Sequence, residues 1–306
     1  HIDATGSAYI DIDPFTIPGE VEVVITHQNR IPVIDTLMVI APDGPYVIYD
    51  THDINDISGN NDALVDIGEN ILMGMQLKNV GPDDALNVDA TLATIDTYVT
   101  INDNTEAYGT ILGNDGTGYA ADAFDFDVDG NTPDGHKVSF DVTVTGDARE
   151  TWESGFSVTV HAPVLEYISI DINDATGNGN GILDPGESAE LTITLENSGS
   201  GSAGNVSALL SEYDTFLGIT DNSSIYGTIS SGTTADNASD LFVVEADASC
   251  PQGYATQFTL DLTADGGYTK QIIVDITVGD SLTLLSDDFI YNQGWTGLGG
   301  NGEWTI

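Results

Sequence analysis

In the stretch "DINDATGNGNGILDPGE", Asp171 to Glu187, side chains bearing oxygen recur at a regular spacing. Counted from Thr176, positions 1, 3, 5, 9 and 12 are Thr176, Asn178, Asn180, Asp184 and Glu187, with Gly181 at position 6. This is the ligand spacing of an EF-hand loop. Ca2+ takes roughly six to eight hard oxygen ligands, and such a loop supplies them around a tight turn. Gly181 permits the bend, the Ile182 carbonyl is the expected backbone ligand, and Leu183 stands where an apolar anchor belongs. Glu187 closes the loop as a candidate bidentate ligand. The variant "DINDISGNNDALVDIGE" at Asp53 to Glu69 puts Ser58, Asn60, Asp62, Asp66 and Glu69 in the same places.

The spacing departs from the EF-hand pattern in two respects. Ser58 and Thr176 stand where a carboxylate is expected, and Ala63 replaces the bend glycine in the first loop. Upstream Asp53 and Asp56, and likewise Asp171 and Asp174, are candidates for the missing carboxylates. No helical pattern flanks either loop, so a sensor that works by helix motion is not expected; a structural ion is. Ordinary turns are also rich in Asn, Asp and Gly, but they do not repeat one spacing and close it each time with Gly-Glu. A weaker cluster, Asp125, Asp127, Asp129 and Asp134, is a further candidate.

Catalytic patterns are thin. The five histidines (His1, His27, His52, His136 and His161) are scattered without metal-ligand spacing. Cys250 lies in an acidic neighbourhood that raises a thiol pKa, and its repeat counterpart is Thr132, so it is not a candidate nucleophile. Paired carboxylates for glycoside hydrolysis cannot be singled out among so many acids. Trp295 and Trp304, among glycines near the C-terminal end, read as core packing before sugar stacking. The chain is therefore read as non-catalytic.

The two loops belong to a larger repeat. Offset by the distance from Asp53 to Asp171, the sequence matches itself without a gap over roughly 95 positions, about a third of them identical. "LKNVG" at Leu77 answers "LENSG" at Leu195, and "YGTI" recurs at Tyr108 and Tyr226. Short β-branched runs with period-2 alternation, such as "SAELTITLEN" and "VSFDVTVTG", are punctuated by Gly, Asn, Asp and Pro. They predict an all-β protein of tandem antiparallel immunoglobulin-like β-sandwich domains, about seven strands in each. The expected organisation is partial immunoglobulin-like strands over 1–45, repeats over 46–163 and 164–280, and the start of a further β domain or a donated strand over 281–306.

Composition narrows the partners. The 306 residues carry 50 Asp and Glu against Arg30, Lys78, Lys137, Arg149 and Lys270, a formal net charge of −45. Such a surface repels nucleic acid and anionic membranes and favours divalent cations. Adaptation to high salt would give the same composition. One cysteine excludes an internal disulfide, and no apolar run is long enough for a membrane span. The start at His1 reads as a processed or excised piece of a longer chain.

Two stretches carry a resemblance. "PGEVEVVITHQNRIPVIDTLMV", Pro18 to Val39, resembles the last strands of the immunoglobulin-like domain that follows the catalytic domain in gingipain-type cysteine proteases, through Thr26, Gln28, Asn29, Ile31 and Pro32. The repeats are similar to stalk modules of large secreted bacterial proteins. The resemblance implies an extracellular or cell-surface location, where calcium is plentiful, and imports no protease residue. The expectation is a spacer and adhesion region whose ions order each loop and stiffen the joint at Ala162 to Tyr167. Its partners would be neighbouring domains or like subunits. Rival expectations are an accessory region of a gingipain-like protease and the subunit of a self-assembling filament.

Overall fold

The computed structural model describes residues 19–26, 31–40, 43–147, 150–280, 296–297 and 304–305. Strand β1 (Gly19–Ile25) pairs antiparallel with β2 (Val33–Val39), the last two of the three strands expected at the N-terminal end. The first, "SAYIDID", lies outside the described residues.

Nine strands follow in the first repeat: β3 (Val47–Asn55), β4 (Val65–Asp66), β5 (Asn70–Asn79), β6 (Ala85–Ala93), β7 (Val99–Asp103), β8 (Thr105–Ile111), β9 (Gly116–Val128), β10 (Lys137–Thr145) and β11 (Thr151–His161). They form two sheets, ordered β3-β5-β9-β7 and β4-β11-β10-β6-β8. The second repeat supplies β12 (Leu165–Asn173), β13 (Ser188–Asn197), β14 (Ala203–Ser211), β15 (Leu217–Asp221), β16 (Ser223–Ile229), β17 (Thr234–Asp236), β18 (Phe242–Ala246), β19 (Tyr254–Thr263) and β20 (Thr269–Val278). Its sheets are ordered β12-β13-β18-β15, with β17 also on β13, and β16-β14-β19-β20. The two-residue β21 (Thr296–Gly297) and β22 (Trp304–Thr305) pair with each other.

The chain is thus all-β, in tandem sandwiches that are antiparallel except where β4 runs parallel to β11, and no strand is shared between the sheets of residues 47–161 and those of residues 165–278. Each repeat has more strands than the seven expected, because short edge segments such as β4 and β17 pair without showing any periodicity. Alternation works as it should: Leu191, Ile193 and Leu195 of β13 are fully buried, Thr192 and Thr194 between them are half-buried, and Glu190 before them is exposed. Phe124, Phe126 and Phe140 fill one core, Phe242 and Phe258 the other. Burying each such ring stabilises by about 2–3 kcal/mol.

A buried asparagine ties the first strand of each repeat to the rest. Asn79 accepts from the amides of Tyr46 and Gly81 at 2.9 and 3.1 Å and donates to the carbonyls of Asp83 and Ile111. Asn197 does the same with Val164, Gly199, Gly201 and Ile229, each 118 residues further on. Every polar site of the amide is used, which is what makes full burial of asparagine tolerable.

Candidate functional site

Each candidate loop leaves its first strand, β3 or β12, and re-enters the same sheet at β5 or β13. Asp56 and Asp174 sit at the neck, both 2% exposed. The Asp174 carboxylate accepts the amides of Gly179, Asn180 and Gly181 at 2.9–3.0 Å. Burial opposes ionisation there, but the loop amides outweigh it and hold Asp174 below the usual carboxylate range. Asp56 accepts from Asp62 at 2.9 Å and, more distantly, from Ala63 at 3.3 Å.

At the other end Glu187 takes the amides of Asn178 and Asp184, as Glu69 takes those of Asn60 and Asp66. The Asn60 amide reaches Asp66 at 2.6 Å, and those of Asn178 and Asn180 reach Asp184 at 2.7 and 3.0 Å. The Asp62 side chain receives the amide of Leu64 and the Asn180 side chain that of Ile182, so both shape the turn. Leu183 is fully buried, matching the apolar anchor expected at that position, and Gly181 has φ +80° at the bend.

Four residues fall elsewhere than expected. Asp53 and Asp171 are strand residues, exposed, and the Asp53 carboxylate binds the Tyr119 hydroxyl. They were candidates because they stand near the loop in sequence, but a strand carries them away from it. Ser58 and Thr176 donate to the carbonyls of Asn70 and Ser188, closing the loop onto its next strand. The neck carboxylates Asp56 and Asp174 take the organising role instead. The further cluster is dispersed: Asp125 and Asp127 bind Asn70 and Asn102, Asp129 caps its own turn, and Asp134 faces the second repeat.

Sequence reasoning missed how the first loop is covered. The turn at Asp265–Gly267 of the second repeat packs on it, and a Cβ at Gly68 or Gly130 would run into the Gly266 backbone. Gly68 and Gly266 both have φ +71°, so the close approach needs glycine twice over. Asp134 receives the Ala162 amide at 3.0 Å together with the amide and hydroxyl of Ser200, and His161 bonds that same hydroxyl. The Tyr268 hydroxyl accepts the Leu165 amide, and its ring packs against both cores.

Under this cover Asp66 and Glu69 are each 8% exposed, and one Asp66 oxygen, Oδ1, is buried with no hydrogen-bond partner. Burial raises the Asp66 carboxyl above its ordinary range, and neighbouring Asp62 adds to the rise. Burial raises Glu69 too, with Asp66 and Asp56 adding to it against the amides it receives. The ion pairs among the described residues, Lys78–Asp115 at 3.0 Å and His136–Asp96 at 2.7 Å, lie elsewhere.

Among the described residues no group of three or more His, Cys, Asp or Glu side chains converges to hold a metal unaided. Loop amides stand between the carboxylates, so any bound cation would draw on Asn and backbone oxygens as well. The donor set fits a hard cation: all oxygen, irregular, and with a buried, unpartnered oxygen at Asp66. Cys250 is buried, and burial, then Asp214 and Asp247, push its thiol pKa up.

No family model matches the chain, and no curated protein matches it. Among solved structures it is similar to a Porphyromonas gingivalis W83 protein of unknown function, at 12% identity and TM-score 0.21, over 76% of this chain and 96% of that one. It is also similar to Escherichia coli alpha-2-macroglobulin in its native conformation (9% identity) and activated by trypsin (8%), each at TM-score 0.28. Those two matches cover 85% of this chain and 19% and 20% of the macroglobulin. At these TM-scores the likenesses carry no argument about activity or partners. No helix among the described residues is long and apolar enough to cross a membrane.

Proposed function

We propose that the chain is a non-catalytic, calcium-stabilised spacer and adhesion region of an extracellular multidomain protein. The reading rests above all on one observation: the same oxygen-rich loop is built twice around a buried neck aspartate, Asp56 or Asp174, at the same place in each sandwich. A turn needed only to reverse the chain would not require four carboxylates in one copy (Asp56, Asp62, Asp66 and Glu69) and three in the other (Asp174, Asp184 and Glu187). In a protein of net charge −45 such clusters repel themselves, and a divalent cation relieves the repulsion. Calcium then acts mechanically, stabilising the folded modules by mass action.

Calorimetric melting at low ionic strength, with calcium or with chelator, tests this. Chelation is expected to lower the melting temperature by roughly 10 °C or more, as ligand binding of a few kcal/mol would. Glu69→Gln and Glu187→Gln should each diminish that response. An identical melt with and without chelator would refute the reading.

A further inference from the structure

The cleft between the repeats, about 650 Å³, has Asn60, Asp66 and Glu69 on one wall and Ser202, Thr228 and Asp265 on the other. The first wall belongs to the first loop. The second belongs to the second repeat, whose Asp265 carboxylate is oriented by the Asn205 side chain at 2.7 Å. Three features make this more than an acidic patch. Asp66 is nine-tenths buried yet keeps an unpartnered oxygen. Its neighbour Glu69 is equally buried. The loop and the Asp265–Gly267 turn also pack backbone against backbone at Gly68 and Gly266, which sets Asp265 on the cleft wall.

We propose that the cation of the first loop is bound in this cleft as a shared site, with Asp66 and Glu69 from one repeat and, through water, Asp265 from the other. Ion occupancy and docking of the two repeats are then one equilibrium: each raises the affinity of the other by the same factor. Calcium suits the cleft better than magnesium, because it accepts an irregular shell with mixed carboxylate, carbonyl and water ligands. The proposal rests on the reading that the loop takes a cation, and it adds that the site is incomplete without the second repeat.

The test uses the full chain carrying Cys250→Ser, with spin labels at Thr105→Cys and Tyr213→Cys, one in each repeat. Calcium titration calorimetry is combined with the label-to-label distance distribution. Calcium should narrow the distribution. Asp265→Asn should weaken binding at the stronger site about tenfold, in line with the loss of one ligand charge, and abolish the narrowing while sparing the weaker site. Gly130→Ala, which obstructs docking at the Gly266 backbone from outside the loop, should likewise lower that affinity. If Asp66→Asn abolishes tight binding but Asp265→Asn and Gly130→Ala leave affinity and distances unchanged, the shared site is refuted and the loop reading stands. If calcium does not bind the parent chain at all, both are refuted.

Discussion

Asp66 and Glu69 lie beneath the second repeat, while their counterparts Asp184 and Glu187 stay partly open to solvent. The backbones correspond residue by residue: Asn61, Ala63 and Gly68 have positive φ, as have Gly179, Gly181 and Gly186. The chemistry diverges on that common frame. In the second loop the amides of Gly179, Asn180 and Gly181 crowd around Asp174 and satisfy it. In the first, one more carboxylate and a protein lid leave Asp66 with a buried oxygen that no donor among the described residues meets. A buried, unpaired charge is costly unless it is protonated or meets a cation. One loop design thus gives two sites, with their strength set by what packs above.

The sharpest way to break this contrast is at the necks. Asp174→Ala removes three amide partners and should destabilise the second repeat by about 3 kcal/mol in calcium or chelator alike. Asp56→Ala should cost the first repeat less in chelator, because it also removes repulsion, and more in calcium; urea titration followed by calorimetry resolves the two. Next in size are the closing glutamates. In chelator Glu69→Gln should cost the first repeat less melting temperature than Glu187→Gln costs the second: each exchange sets a donor against one loop amide, but at Glu69 it also removes a charge that burial disfavours.

The pH dependence separates the repeats again. Raised carboxyls such as Asp66 and Glu69 prefer to be protonated in the fold, so in chelator the first repeat should gain stability as pH falls from 7 toward about 4. Asp174 and Asp134 are depressed, with amide and hydroxyl donors outweighing their burial. Their contribution is full above the ordinary value of 3.8 and is lost as pH falls below it. Melts between pH 7 and 3 should therefore show the first repeat gaining stability over the upper part of the range while the second, through Asp174, stays level there and loses stability only below about 3.8. The smallest effect is backbone strain: Ala63 at φ +66° stands where the second loop has Gly181. Ala63→Gly should stabilise by about 1 kcal/mol, and Gly181→Ala should destabilise by as much.

Much of this was legible in the sequence. The period-2 runs gave strands such as β13 and β10 directly, because alternation is what a half-buried strand requires. The repeat offset placed Asn79 and Asn197 in matching motifs, though only burial reveals them as pins. The loop spacing pointed to Asn178, Asn180, Asp184 and Glu187 and to their first-copy equivalents. It could not distinguish Asp53 from Asp56, since only three residues separate an exposed carboxylate inside β3 from a buried one just past its end. Asp265 and the glycine contact were illegible for a different reason. They arise from the docking of two modules, which leaves no local periodicity in either.

Isothermal titration of calcium into the parent chain, Glu69→Gln and Glu187→Gln at low salt tests the central claim most directly. Two sites are predicted, with the tighter one lost in Glu69→Gln and the weaker one in Glu187→Gln. A tighter site that survives Glu69→Gln, or the absence of any calcium-dependent heat, would contradict it.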